Sequence, residues 1–389
     1  MMIDLDTPSL ALLPAGLCDL LPPEAEAEAT LVESLMQVFG LHGYERVAPP
    51  LLEFEESLLA GAGAAVAEQI FRLMDSDTHR MMGVRADITP QIGRIASSRL
   101  VQSARPLRLS YAGVALRSRG VAPEMARQVA QVGVELIGPD LPEADAEIVL
   151  VAAEALGRVQ VPRLSFDLTM PALVPAMLDE AGIVGAARHG LLHALDRKDV
   201  AAVAEFGGAL AGVLTELLLA AGAADQALAA LERAALSPEA LVLAQRLAAS
   251  VRTVRVRAPG LKLTVDPVEF RGFRYHTGVS VTAYSEGCSA ELGRGGRYLA
   301  GAKLEPATGM TLFPEAVARV APAAGRRKRL YVPAGQAGAE ALREAGFACV
   351  AQLGPVADVD VEARRLLCGH ILKNGVAVAL PKSVQTESQ

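Results

Sequence analysis

Residues 271–278 read Arg271–Gly272–Phe273–Arg274–Tyr275–His276–Thr277–Gly278. Two guanidinium groups, two aromatic rings, an imidazole and a threonine hydroxyl crowd around two glycines. Such a run is costly to bury without a partner. It suits a small zwitterion, with arginine for a carboxylate and tyrosine for a ring or polar edge. The glycines let the backbone turn and come close to a ligand.

Those side chains need elements to hold them. The chain has 389 residues, half of them apolar, with no Trp and little aromatic content. That length allows two or three domains and a large core. Alanine and leucine dominate the packing, which favours helices over an all-β architecture. A helix is expected over 24–41, with Gly43 ending it, and a strand over 44–47. Residues 70–74 and 80–84 predict a hairpin around an Asp75–Thr78 turn. A helix follows near Thr89–Pro90, with Thr89 as its cap. Residues 107–116 and 126–137 predict a long antiparallel hairpin, 142–157 a helix and 163–169 a strand.

From 171 to 250 the pattern is helical. Strands return at 261–265, 278–284 and around 288–293, followed by a glycine-rich turn at Gly293–Gly296 and a helix near 313–320. The basic run Arg326–Arg329 reads as a solvated linker. Beyond it, strands at 329–333, 347–352 and 374–380 alternate with helices at 336–346 and 361–370. The expectation is an α+β core over residues 1–320 with a helical insertion at about 171–250, a small α/β domain at 329–381, and a polar tail at 382–389.

Composition narrows the function classes. The formal net charge is −7, which argues against a broad nucleic-acid surface. Cys18, Cys288, Cys349 and Cys368 lie far apart with no CxxC pair, so neither a zinc site nor a disulfide framework is indicated. Reduced thiols in a cytoplasmic protein are the simplest reading. The N-terminus opens with acids, so no signal peptide is expected. The apolar stretch at 208–232 is interrupted by Glu216, Asp225 and Glu232, and reads as a helical hairpin rather than a membrane span. Gly293–Arg294–Gly295–Gly296–Arg297 looks in isolation like a phosphate cradle, but it is not a Walker sequence. His189 and His193 stand four apart without the glutamate or third ligand that a metal site needs. No cofactor or metal is expected.

Four segments in order resemble the class II aminoacyl-tRNA synthetases, specifically the histidyl type. They are Pro14–Ala15–Gly16–Leu17–Cys18–Asp19–Leu20–Leu21–Pro22; Arg85–Ala86–Asp87–Ile88–Thr89–Pro90–Gln91; Leu116–Arg117 through Gln131–Val132–Gly133–Val134–Glu135; and 271–278 with Gly295–Gly296–Arg297–Tyr298 after it. The resemblance covers about residues 12–320. It implies a class II antiparallel sheet flanked by helices.

The departures point elsewhere within that superfamily. Where the synthetases read Phe-Arg-x-Glu, this chain has Leu116–Arg117–Ser118–Arg119. The adenine-stacking position falls on Val129, and the arginine expected on the ATP phosphates is Ala316. Losing one such electrostatic stabiliser costs about 10²–10³ in rate. The pattern is similar to the HisZ family, the non-catalytic regulatory subunits of ATP phosphoribosyltransferase. In that family the second segment reads Arg-Pro-Asp-x-Thr-Pro-Gln, with Ala86 here in place of proline, and the fourth contains Tyr-His-Thr-Gly.

The resemblance implies a role in the first step of histidine biosynthesis, in a homodimer within a hetero-oligomer. It implies the short-form catalytic subunit HisG as partner, L-histidine as effector, and no tRNA. An active histidyl-tRNA synthetase, or an amino-acid-binding adaptor in another process, are the alternatives.

A histidine pocket can be assembled from these residues. Asp87 and Thr89 can take the ammonium, with Gln131 as a third acceptor. Arg271 or Arg117 can hold the carboxylate. Glu135 can accept from an imidazole N–H, and Tyr275 can close the ring face. Gln131 and Glu135, four apart on a strand, point to one side. His276, where the synthetases commonly carry a second tyrosine, and Tyr298 can complete the wall. Each has a plainer reading: Asp87 as a helix-start residue, Glu135 in a structural ion pair, Arg271 paired with Glu269, the tyrosines as core aromatics, His276 as a structural histidine.

Overall fold

The structure, a computed structural model, describes residues 12–119, 126–270, 276–322 and 325–381. The chain divides into two compact units, Met1–Ala323 and Ala324–Gln389.

In the first unit a nine-stranded sheet runs in the order Glu45–Arg46, Leu107–Leu116, Gln128–Ile137, Glu305–Leu312, Gly293–Ala300, His276–Ser285, Leu164–Thr169, Lys262–Asp266, Gly222–Ala223. Its centre is antiparallel. Glu45–Arg46 and Lys262–Asp266 join their neighbours in parallel. Alternate residues face opposite sides. One side carries Val132, Val134, Leu136, Val279, Val281, Ala283, Phe166 and Leu168, all buried in the main core.

Helices cover that side. Glu24–Leu41 has Glu24 and Glu26 in its first turn, where the helix dipole favours acids, and buries Leu31, Leu35, Met36, Val38 and Phe39. Gly43 follows it at φ +79°. Pro142–Arg158 begins with proline and acids and ends in Arg158. Helices between Leu173 and Arg257 pack onto the same core. On the other side, Thr89–Ser98 covers one end of the sheet through Ile88, Ile92, Tyr111, Leu109, Ile137 and Tyr298. The rest of that side is polar.

A second sheet orders Leu52–Phe54, Met81–Val84 and Phe71–Met74. Its middle strand delivers the chain to Arg85. Arg85 donates to the carbonyls of Val114 (2.7 Å) and Pro49 (3.0 Å) and so pins this sheet to the hairpin. Gly113 makes room for it, because a Cβ there would lie 2.5 Å from the Arg85 guanidinium.

In the second unit Ala348–Ala351, Arg329–Val332 and His370–Lys373 are parallel, and Val376–Ala379 returns antiparallel. Helices Ala339–Glu344 and Val359–Arg365 accompany them. Asp358 caps the second, accepting from the N–H groups of Asp360 (2.8 Å) and Val361 (3.0 Å).

The structure corrects several sequence expectations. Gly293–Gly296 is not a turn but the start of a central strand, Gly293–Ala300, and the strand expected around 288–293 is absent. Glu305–Leu312 is a further strand, at a place where no element was expected. A two-residue strand, Gly222–Ala223, interrupts the helical insertion. The last helix stops at Arg365, and 374–380 is half of a hairpin turning at Asn374 (φ +50°) and Gly375 (φ +78°). Thr89 is not a cap: Ile88 holds that position, and the Thr89 hydroxyl is engaged elsewhere.

Candidate functional site

The two long strands Leu107–Leu116 and Gln128–Ile137 form the wall on which the site is built. Their open end is clamped. The Arg117 N–H donates to the Arg127 carbonyl (2.7 Å), and Arg127 Nε donates back to the Arg117 carbonyl (3.1 Å). The Arg127 N–H also reaches the Gly16 carbonyl at 2.8 Å.

Asp87 arrives over this wall from Arg85. Gln131 fixes it: the Gln131 amide NH₂ donates to Asp87 Oδ1 (3.2 Å) while its Oε1 accepts from the Ile88 N–H (3.1 Å). The Thr89 N–H lies 3.4 Å from the same Asp87 oxygen. Gln131 therefore orients Asp87 first, with its own oxygen already engaged once. Burial pushes the Asp87 carboxyl upward. The Thr89 N–H, the Gln131 amide and the charge of Arg117 oppose that rise.

Glu135 is 1% exposed. Its Oε1 accepts from the Thr89 hydroxyl (2.9 Å) and its Oε2 from the Tyr298 hydroxyl (2.8 Å). Burial raises its pKa to about 8; the two hydroxyls counter this, and the Asp87 charge adds to it. Behind Thr89 stands Tyr111, fully buried, 3.2 Å from the Thr89 hydroxyl and 2.6 Å from that of Thr311. Each hydroxyl has one proton. With the Thr89 proton committed to Glu135, Tyr111 supplies the next and Thr311 the one after, so the line runs Thr311 to Tyr111 to Thr89 to Glu135.

Three glycines make the floor. A Cβ on Gly309 would lie 1.8 Å from Glu135 Oε2, one on Gly133 2.4 Å from the Tyr111 hydroxyl, and one on Gly296 2.8 Å from the His276 ring. Gly296 and Gly309 are cross-strand partners, so Glu135 and His276 lean toward each other over adjacent strands. His276 itself pairs with Tyr298 and bonds Ser280 Oγ through Nδ1. Burial first, then the Arg294 charge, pulls its pKa down to about 3, so it is neutral.

The structure thus brings together Asp87, Thr89, Gln131, Glu135 and Tyr298, with His276 beside them and Arg117 acting on Asp87 through its charge. Arg271 and Tyr275 lie outside the described residues. Arg119 is exposed, Val129 half-buried, and Ala316 buried against the main core. Sequence reasoning missed Tyr111, Thr311 and the floor glycines. The signal for the last was available, since glycine inside a strand marks close approach of another group. Chemically, two carboxyls in one polar cluster favour a cationic or N–H-donating ligand.

The arginines of Gly293–Ala300 have partners within the fold. Arg297 donates through Nε to Asp145 at 2.9 Å and through its terminal nitrogens to the carbonyls of Pro139 (2.9 Å) and Leu141 (3.1 Å). Arg294 pairs with Glu291 at 2.6 Å.

A family profile described as histidyl-tRNA synthetase matches residues 16–317. The ATP phosphoribosyltransferase regulatory subunit of Gluconobacter oxydans is 52% identical over 374 residues, covering 96% of this chain and 98% of that protein. A crystal structure of an ATP phosphoribosyltransferase regulatory subunit/histidyl-tRNA synthetase from Bacillus halodurans superposes with a TM-score of 0.77 at 23% identity, covering 92% of this chain and 97% of that one. A chain of the ATP phosphoribosyltransferase (HisG:HisZ) complex from Thermotoga maritima gives 0.57 at 16% identity, covering 74% and 97%. The sheet order described above is thus that of a histidyl-tRNA synthetase fold, and the chain belongs to the ATP phosphoribosyltransferase regulatory subunit family.

Proposed function

We propose that this chain has no catalysis of its own, associates with a short-form ATP phosphoribosyltransferase catalytic subunit, and reports L-histidine to it. The reaction it regulates joins ATP to phosphoribosyl pyrophosphate, the first step of histidine biosynthesis. The observation that carries the reading is the cluster of Asp87, Thr89, Gln131, Glu135 and Tyr298 on its glycine floor. Asp87 receives the ammonium and Glu135 an imidazole N–H, while Tyr298 and His276 form the wall.

The other half of a synthetase site is missing: Arg119 replaces an acid, Val129 a stacking ring and Ala316 an arginine. The similarity to regulatory subunits and to the Thermotoga maritima complex supports the partner. A homodimer within a hetero-oligomer in the cytoplasm, acting without tRNA, is the state in which we place it. Histidine biases the catalytic subunit by binding one state of the assembly better than the other, a coupling of typically about 1–3 kcal/mol.

The test mixes purified chain and short catalytic subunit. The two are expected to associate, activity to need both, and histidine inhibition to fall away with Asp87→Ala. Failure to associate, or a catalytic subunit equally active and histidine-sensitive alone, overturns the proposal. Robust histidine-dependent ATP–pyrophosphate exchange by this chain would place it among active synthetases instead.

A further inference from the structure

We propose that Tyr111 is a positioning residue for the amino-acid site, holding Glu135 through the Thr89 hydroxyl as an acceptor for the ligand's N–H; this rests on the reading that histidine binds there. Tyr111, Gly133 and Thr311 are register partners on three adjacent strands. The middle one is glycine, and a Cβ there would lie 2.4 Å from the Tyr111 hydroxyl and 2.5 Å from the ring carbon that carries it. The tyrosine therefore lies across the middle strand, with its hydroxyl 2.6 Å from that of Thr311 and 3.2 Å from that of Thr89. Burial first, and then the Glu135 and Asp87 charges, push its ionisation far up, so it keeps its proton. Packing alone would be served as well by phenylalanine. Here the hydroxyl sits between two others.

Hydroxyls are what steady the charged form of Glu135. Burial raises this carboxyl; the Tyr298 and Thr89 hydroxyls oppose the rise, the Asp87 charge adds to it, and Tyr111 opposes it as well. Among the described residues no Lys or Arg forms an ion pair with Glu135. The other charges act one step away, Arg117 on Asp87 and Arg294 on the neutral His276. Each hydroxyl has one proton to give. With Glu135 ionised, the line runs toward it. With Glu135 protonated, one of the hydroxyls on its oxygens must turn and accept. Tyr111 biases Thr89 against that turn: a Thr89 oxygen already accepting from Tyr111 is a poorer acceptor for Glu135 and a stronger donor to it.

The experiment is calorimetric titration of the full chain with L-histidine at pH values on either side of about 8, where Glu135 titrates. The ligand's own titrations are common to every variant and cancel in the comparison. Wild-type affinity is expected to rise as Glu135 ionises. In Tyr111→Phe that rise should move up by about half to one pH unit, which is a weakening of about 3- to 10-fold below the midpoint that fades above it. Thr311→Val, at the far end of the line, should shift the rise the same way by less. Equal weakening at every pH would show a merely structural role and overturn the proposal, as would an unmoved profile. Infrared titration of the ligand-free chain reads the same midpoint, the protonated Glu135 band being the one that Glu135→Gln removes. A wild-type chain that binds no histidine overturns the pocket reading. The infrared midpoint still decides the role of Tyr111, and the proposal falls if Tyr111→Phe leaves that midpoint where it was.

Discussion

Arg294 and Arg297 lie three residues apart on one strand and face opposite sides of the sheet. Arg297 is 3% exposed, bonded to Asp145 and two carbonyls, and enclosed by helix Pro142–Arg158 and its leading turn. Arg294 has a side chain 40% exposed and pairs with Glu291. The contrast extends to the two sides of the sheet. One is aliphatic and filled by helices; the other has an apolar cluster under Thr89–Ser98 at one end and, beside it, a glycine floor lined with hydroxyls and acids. A buried charge with all its donors matched holds the fold together. A partly exposed pair on the polar side contributes far less to stability.

The sharpest way to break the comparison is Arg297→Ala. It leaves Asp145 buried with only the more distant Arg246 (3.7 Å) as a cation, and stability should fall by about 3–5 kcal/mol, read by chemical denaturation. On the site side, Glu135→Gln should weaken histidine by about 1.5–3 kcal/mol in calorimetry above about pH 8, where the carboxyl is ionised, while the protein stays folded.

The same variant tests the carboxyl's titration. Glu135 has a folded pKa of about 8 against an ordinary 4.5. The folded state therefore holds a proton that the unfolded state loses between those values. This group's contribution is fully present below pH 4.5 and lost as pH rises through 8. Denaturation midpoints of wild type and Glu135→Gln should accordingly diverge in slope across that window; identical slopes would mean Glu135 is ionised throughout.

Gly309→Ala drives a methyl into Glu135 and the Val134 carbonyl. It should cost about 1–3 kcal/mol of stability and remove histidine binding. Smallest of all, Arg46→Ala breaks an exposed pair with Glu33 and should change stability by less than about 1 kcal/mol.

Much of the fold was legible. The helix from Glu24, the long hairpin and the helix from Pro142 follow from periodicity, proline and charge placement. The strands at Gly293–Ala300 and Glu305–Leu312 were not, because their glycines and Pro306 read as breakers. In fact Gly309 and Gly296 serve close approach by Glu135 and His276. The Asn374–Gly375 hairpin carried a known turn signal that was passed over. For the site, residue types at 87, 89, 131, 135 and 298 were readable. That Thr89 serves Glu135 rather than its helix was not, since strand register decides it.

The hydroxyl line from Thr311 to Glu135 has a spectroscopic consequence. Thr311, Tyr111, Thr89 and Glu135 are all buried, so their labile protons meet water only when the structure opens. Protons so sheltered can exchange slowly enough with solvent to give discrete resonances in a proton NMR spectrum. Each would report, without any label on a ligand, whether the carboxylate at the end of the line still accepts.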